Sequence, residues 1–137
     1  SYNAPASEAT STLNPASDDD VVVNTPTDYG NSYPVGQCTW GVKELAPWAS
    51  NWWGNANTWA IYASAQGYRV GNVPVVGAIA VWDGGEYGHV AYVTDVQSEN
   101  SIQVLEANYK RQKQIANYRG YFNPNEFLGR VTYIYPN

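Results

Sequence analysis

This sequence contains a single cysteine, Cys38, and a single histidine, His89. A cysteine becomes an effective nucleophile when a neighbouring base takes the proton from its thiol, and imidazole is the side chain most often used for this. The chemistry therefore depends on whether the fold brings Cys38 and His89 together. The alternatives are structural: a lone cysteine is often a small buried hydrophobic residue, and a lone histidine often has no role.

The residues around Cys38 predict a short helix over 37–46. Cys38, Val42 and Leu45 follow the i, i+4, i+7 spacing of one helix face, and Pro47 ends the pattern. Cys38 then lies in the first turn, where unpaired N–H groups and the helix dipole favour a thiolate. Its backbone N–H could also stabilise the oxyanion of an attacked carbonyl, with a second donor that the sequence leaves unassigned.

The remaining elements predict an α+β fold, with short N-terminal helices packed on an antiparallel β-sheet. A second helix is predicted over 56–66, with Asn55 as its N-cap and Gly67 as its end. Strand-like segments separated by turn-rich breaks follow over 78–82, 89–96, 101–107, 112–118 and 129–135. Helices first and antiparallel strands afterwards are typical of the α+β class.

A hairpin between the second and third predicted strands supplies a third catalytic group. If its turn is centred between Gln97 and Ser98, His89 lies directly opposite Glu106. A carboxylate beside the imidazole fixes its tautomer and stabilises the imidazolium. Asn108 projects from the same face two residues later. It could orient the histidine, donate to the oxyanion, or simply end the strand.

Aromatic side chains crowd the first part of the predicted domain, where five of the six tryptophans lie between positions 40 and 59. Such rings pack well in a core, and they also bind sugars and peptides because they offer rigid apolar area with a polar edge. We expect Trp40 and Trp59 to point inward. The predicted substrate-binding residues are Trp52, Trp53, Asn55 and Tyr109.

Charge is distributed unevenly along the chain, which has a net charge of −5. Residues 1–34 hold five acidic and no basic side chains, whereas the rest is neutral, so the basic stripe of a nucleic-acid-binding protein is absent. Residues 1–32 are rich in Ala, Ser, Thr and Pro and are predicted to be a flexible linker before a domain over 33–137. No apolar run approaches the roughly 20 residues that cross a bilayer, which predicts a soluble fragment.

The number and spacing of possible ligand residues argue against a metal or any other cofactor. One cysteine, one histidine and dispersed carboxylates offer no close ligand spacing for zinc. Asp18, Asp19 and Asp20 lack the alternate spacing and the glycine of a calcium loop, and no glycine-rich phosphate loop is present. We therefore predict no cofactor and no metal.

Five motifs follow one another along the chain: Gln37-Cys38-Thr39-Trp40, Trp53-Gly54-Asn55-Ala56 with Trp59, Pro74-Val75-Val76-Gly77-Ala78-Ile79-Ala80-Val81-Trp82, Gly88-His89-Val90-Ala91 and Glu106-Ala107-Asn108. In this order they resemble the CHAP family of cysteine, histidine-dependent amidohydrolases and peptidases, and the resemblance covers residues 33–137. The resemblance implies a papain-like fold. Many members continue with a glycine-containing turn, whereas this chain has Tyr109-Lys110-Arg111.

The resemblance also implies a role for each matched residue. Cys38 is the nucleophile, His89 acts as general base and then as general acid, and Glu106 orients the histidine. Asn108 matches a further polar position found in several members. A calcium-binding acidic loop, which some phage members carry, has no match near Cys38.

Together, the residues and the resemblance imply a secreted enzyme of a Gram-positive bacterium that cleaves an amide bond in peptidoglycan. A stem-peptide endopeptidase is favoured, and an N-acetylmuramoyl-L-alanine amidase is the other choice. The streptococcal members that the chain resembles act in daughter-cell separation. They imply two partners, an upstream coiled-coil region of the same protein and a division-associated membrane transporter complex. The alternative function is a non-catalytic cell-wall or glucan-binding module, which the aromatic density favours.

Overall fold

A computed structural model describes residues 30–137 of the chain. Its helices are α1 (Cys38–Leu45) and α2 (Trp59–Ala65), with 3-10 turns at Ala56–Thr58 and Pro124–Glu126. Its strands are β1 (Val70–Gly71), β2 (Ile79–Trp82), β3 (His89–Ser98), β4 (Ser101–Leu105) and β5 (Val131–Ile134). No helix among these residues combines the length and the apolar character needed to cross a membrane.

The described strands form a single antiparallel sheet in the order β1-β5-β2-β3-β4. Both helices precede the sheet in the chain, and α1 packs against β3 whereas α2 packs against β5. This architecture confirms the predicted α+β class. The two-residue strand β1 was not predicted, because so short a segment carries no measurable alternation.

The sheet separates two hydrophobic cores. On the helical side, Trp53 and Trp59 pack with Ile79 and Val81 of β2. On the other side, Trp82 packs with residues of β3, β4 and β5. Every residue of β2 is buried, as expected for a strand covered on both faces.

Helix α1 forms as predicted and approaches the end of β4 closely. A Cβ atom on Gly41 would lie 2.9 Å from Cβ of Ala107, so only glycine permits this approach. The contact fixes the first turn of the helix, which carries Cys38, relative to Ala107 and thus to the neighbouring Glu106. The predicted second helix divides into the 3-10 turn at Ala56–Thr58 and α2.

β3 and β4 form the predicted hairpin, but the predicted register was wrong by two residues. Tyr92 pairs with Leu105, and continuing this register places Glu106 opposite Ala91 rather than His89. Irregularities in the pairing of β3 with β4 shift the register, and the sequence pattern does not reveal them. Because side chains alternate with a period of two, Glu106 still lies on the His89 face.

The strand predicted over 112–118 does not form. The segment makes only isolated bridges, one of them between Ala116 and Glu106. Lys110 and Arg111 adopt left-handed φ values of 52° and 70°, which turn the chain sharply after β4. The segment becomes a loop that covers the end of β4.

Two residues before the predicted domain boundary at Tyr33 contact the domain. The side chain of Asn31 donates to the carbonyl of Trp40 and to Glu44, and Ser32 bonds Asn51. The last residues of the predicted linker therefore contact the domain. The remainder of that predicted linker, residues 1–29, lies outside the described residues.

We predict that Gly88→Ala destabilises the fold far more than Gly67→Ala. Both glycines have positive φ, but a Cβ at Gly88 would lie 2.6 Å from the carbonyl oxygen of Trp82 and 2.7 Å from Asn57, whereas Gly67 has open space. The left-handed backbone costs about 1–2 kcal/mol at both positions, and overpacking adds roughly 1–3 kcal/mol only at Gly88. Urea denaturation of both variants measures the difference, and equal losses would contradict the prediction.

Candidate active site

The N-terminus of α1 carries the single cysteine. Cys38 is a free thiol and is 9% exposed, at the floor of an open cleft. Gln37 occupies the N-cap position, but its side chain makes no capping hydrogen bond. The N–H groups of the first helical turn therefore remain available to an anion.

His89 begins β3 and meets Cys38 at the end of the sheet. Cys38 and His89 line the same cleft, and Nε2 of His89 lies 2.9 Å from Oε1 of Glu106. Because Nε2 faces the carboxylate, Nδ1 is the ring nitrogen left for the thiol. The structure thus brings together the three residues that the sequence singled out.

Glu106 follows the last residue of β4 and is fully buried. Its backbone exchanges two hydrogen bonds with Ala116, so its position is fixed although the strand has ended. A buried carboxylate is stable only when it is paired. Besides His89, Glu106 has a second cationic partner.

That partner is Arg119, which the sequence reasoning missed. Its Nε donates to Oε2 of Glu106 at 2.9 Å, and its Nη2 donates to Oε1 at 2.6 Å. Arg119 lies in an irregular segment without periodicity, so no pattern marked it. The available signal was charge balance: a predicted buried Glu106 needs a cation, and the chain has only seven Lys and Arg residues.

The pKa values follow from these contacts. Burial lowers the pKa of His89, but the hydrogen bonds and charges of Cys38 and Glu106 outweigh it and raise the pKa to about 9. Burial also raises the pKa of Glu106, but hydrogen bonds from Arg119 and His89 hold it below its usual value. At neutral pH the site therefore contains an imidazolium next to Cys38.

The cleft has a volume of about 960 Å³ and is lined by three of the predicted substrate-binding residues, Trp52, Asn55 and Tyr109. Trp52 is 81% exposed. Tyr87, which the sequence did not single out, also lines the cleft and is 58% exposed. Both rings are free to contact a ligand in the cleft.

Trp53 does not face the cleft, and the expectation that it contacts substrate is corrected. Its side chain is fully buried and packs edge-on against Trp59 and Tyr68 at ring distances of 5.3 and 5.5 Å. Its indole N–H donates to Gln66. Trp53 is core because Gly54, with a φ of 79°, turns the loop immediately after it. Trp40 and Trp59 are buried as expected.

Asn108 lies at the rim of the cleft with a left-handed φ of 59°. Its amide N–H donates to Oε1 of Gln37 at 3.2 Å, and its Oδ1 accepts from Lys113 at 3.2 Å. Asn108 therefore connects the turn after β4 to the residue that precedes Cys38.

Metal ligands do not cluster among residues 30–137. No three of the described His, Cys, Asp and Glu side chains are close enough together to hold an ion.

A buried Cys-His-Glu constellation on an α+β scaffold defines a class of cysteine hydrolases, and comparison with known proteins identifies the family. The model of the CHAP domain matches residues 28–108, so the chain belongs to the CHAP family. The resemblance inferred from the sequence motifs is thereby confirmed.

Three relatives show which individual proteins the chain is similar to. The chain is 62% identical over 109 residues to a Streptococcus mutans protein whose name describes it only as a hydrolase. The match covers 78% of this chain and 52% of that protein. It is 43% identical to the staphylococcal secretory antigen SsaA of Staphylococcus epidermidis (80% and 44%) and 44% identical to the N-acetylmuramoyl-L-alanine amidase sle1 of Staphylococcus aureus (70% and 30%). The chain thus spans about half or less of these relatives.

A solved structure supports the same assignment. The fold matches the crystal structure of an N-acetylmuramoyl-L-alanine amidase from Staphylococcus aureus with a TM-score of 0.68 and 27% identity, covering 87% of this chain and 37% of that one. The family, the fold and these relatives make this chain a CHAP-domain member related to cell-wall hydrolases.

We predict that the protein loses stability as the pH rises through about 9, and that His89→Gln removes part of this loss. The folded pKa of His89 is about 9, above the unfolded value of about 6.5. Protonated His89 therefore contributes its full stabilisation below about pH 6.5, and this is lost as the pH rises through about 9.

Urea denaturation of both proteins from pH 6 to 9.5 measures the difference. Groups that titrate in this range and do not interact with His89 are common to both proteins and cancel, whereas the coupling between His89 and Cys38 is part of the measured difference. Parallel pH dependences in the two proteins would contradict the assignment of the raised pKa to His89.

Proposed function

We propose that this chain is the catalytic domain of a secreted cysteine hydrolase that cleaves an amide bond in peptidoglycan. The observation that carries the proposal is the placement of Cys38 and His89 on one open cleft, with the buried carboxylate of Glu106 hydrogen-bonded to His89. The family membership and the relatives with hydrolase and amidase names support it.

The proposed reaction has two stages. The thiolate of Cys38 attacks the amide carbonyl, and the imidazolium of His89 then donates its proton to the leaving amine as the C–N bond breaks. The resulting thioester is attacked by water, from which neutral His89 takes a proton. The C–S bond then breaks, so that the acid product leaves and the Cys38 thiolate and the His89 imidazolium are restored. Glu106 keeps the imidazole oriented and stabilises its protonated form throughout.

Two groups next to the nucleophile suit the oxyanion. One is the backbone N–H of Cys38 at the first turn of α1. The other is the side-chain amide of Gln37, which lines the cleft and whose oxygen is held by Asn108. Because that contact uses the oxygen, the NH₂ of Gln37 remains a donor for the developing negative charge. In this proposal Asn108 positions Gln37.

For the bond cleaved, we propose the stem peptide. This assignment rests on resemblance to PcsB, a secreted streptococcal hydrolase of daughter-cell separation. The names of the sle1 relative and of the Staphylococcus aureus structure favour the bond between N-acetylmuramic acid and L-alanine instead. An upstream coiled-coil region and a division-associated membrane transporter complex are the proposed partners, and the secretory antigen SsaA supports an extracellular location.

We predict that this domain releases soluble fragments from purified Gram-positive peptidoglycan and that Cys38→Ala abolishes the release. Mass spectrometry of the fragments identifies the new termini and hence the bond. Termini within the stem peptide support endopeptidase activity, whereas free L-alanine amino termini identify an amidase. No release by the folded unmodified domain would count against a hydrolase.

The exposed rings support one other candidate function, a wall-binding module. Trp52 and Tyr87 offer apolar area at the cleft in a form that suits a sugar face. A binder, however, has no need of a cysteine paired with a buried His-Glu couple. The two functions differ in whether any bond is broken.

We predict that Trp52→Ala weakens binding to insoluble peptidoglycan by roughly two- to tenfold, since ring stacking contributes about 0.5–1.5 kcal/mol. The measurement is cosedimentation in the Cys38→Ala background, so that cleavage does not interfere. Tyr62→Ala is the matched control, because Tyr62 is an exposed aromatic residue (48%) that does not line the cleft. Equal losses in both variants would exclude a specific contact by Trp52.

A further inference from the structure

Beyond the proposed triad, we infer that Arg119 is a positioning residue: it clamps the carboxylate of Glu106 so that this carboxylate stays ionised and directed at His89. The inference rests on the proposed hydrolytic function of Cys38, His89 and Glu106. Arg119 itself does not touch the reacting atoms, so it acts only through Glu106.

The first observation is the geometry of the clamp. Two nitrogens of one guanidinium donate to the two oxygens of one carboxylate, at 2.9 and 2.6 Å. The planar fork of arginine matches a carboxylate in this way, whereas lysine offers only a point charge. Oε1 of Glu106 accepts from His89 as well, so the carboxylate cannot rotate without breaking bonds to both cations.

The second observation is a cage of rings around the guanidinium. Its central carbon lies 4.0 Å from the ring centroid of Phe122, 4.1 Å from Phe127 and 4.2 Å from Tyr109. Aromatic faces attract a cation, and they exclude water that would otherwise compete for it. The side chain of Arg119 is only 7% exposed.

One ring connects this cage to the catalytic histidine. Phe127 contacts Arg119 and also meets the imidazole of His89 edge-on at 5.7 Å, and it lines the cleft. Phe127 therefore separates the Glu106–Arg119 pair from the solvent of the cleft. The pair is placed behind the histidine, where substrate does not reach it.

The charged and titratable groups facing the pair are few among the described residues. His89 approaches from β3, and Tyr109 and Tyr118 approach from the segment after β4. Burial, and then the charge of Glu106, raise the pKa of Tyr118. Tyr118 therefore stays neutral over the acidic side of a pH profile, which reports on Glu106 and its partners.

The test compares Arg119→Lys and Arg119→Gln with the unmodified domain, using Arg130→Gln as an exposed arginine control. The first readout is the pH dependence of Cys38 alkylation by iodoacetamide, which needs no peptidoglycan. We expect Arg119→Gln to move the acidic limb upward by about one pH unit or more, the usual effect of removing an adjacent opposite charge. Arg119→Lys keeps the charge and should leave that limb near its original position.

The second readout is turnover on peptidoglycan. Arg119→Lys should lower kcat by about tenfold, since each hydrogen bond to a charged group contributes at least that factor. In the Glu106→Gln background the same change should lower kcat no further, because Arg119 acts through the carboxylate. If Arg119→Gln does not fold, Arg119→Lys in the two backgrounds decides the question.

The outcomes separate the two proposals. An alkylation limb that responds to Arg119→Gln in a domain that releases no peptidoglycan fragments supports the clamp and overturns the proposed substrate. Normal fragment release with unchanged limbs and unchanged kcat in both variants overturns the clamp and leaves the hydrolase standing. A loss of folding stability without either kinetic change assigns Arg119 to structure alone and also overturns the inference.

Discussion

The buried carboxylate of Glu106 is the constraint on which the site depends. A charge that is fully removed from water must be paired with good geometry, and removing one partner of such a pair costs about 3–5 kcal/mol. Glu106 meets this requirement with two cationic partners: His89, which lies on the cleft with Cys38, and Arg119, which does not line the cleft. The same bonds that make the burial tolerable also determine the ionisation of the histidine.

This constraint explains why the chain abandons regular structure after β4. If β4 continued through Glu106, the carboxylate would face a partner on the neighbouring strand only. It needs partners from two directions. The left-handed residues Asn108, Lys110 and Arg111 turn the chain back, so that Arg119 returns to the carboxylate and Ala116 satisfies the backbone of Glu106. Strained positions in non-glycine residues are tolerated where the surrounding contacts determine them.

The sequence predicted the parts of the site that follow local rules. The spacing of Cys38, Val42 and Leu45 located α1. Strand alternation located β3 and indicated the face of the sheet to which Glu106, just after β4, belongs. It failed where the outcome depends on tertiary contacts. The irregularities in β3 moved the hairpin register by two residues, and the burial of Trp53 depends on a glycine turn. Arg119 could not be predicted from a pattern, because the loop in which it lies has no periodicity. Only the need of a buried Glu106 for an opposite charge connects the two residues.

The hydrophobic cores on the two faces of the sheet explain how the site can be open to a cleft while its ionised groups are shielded from water. Cys38 belongs to the helical core, whereas His89 contacts Trp82 and Phe127, which belong to the core on the other face. Cys38 and His89, the proposed nucleophile and base, therefore meet at the end of the sheet, where the cleft reaches both of them. Behind that point the rings around Arg119 exclude water, and in front of it the cleft is open. Because the Glu106–Arg119 pair lies on the closed side, a ligand of the size we propose can enter from the open side without disturbing the charges behind His89.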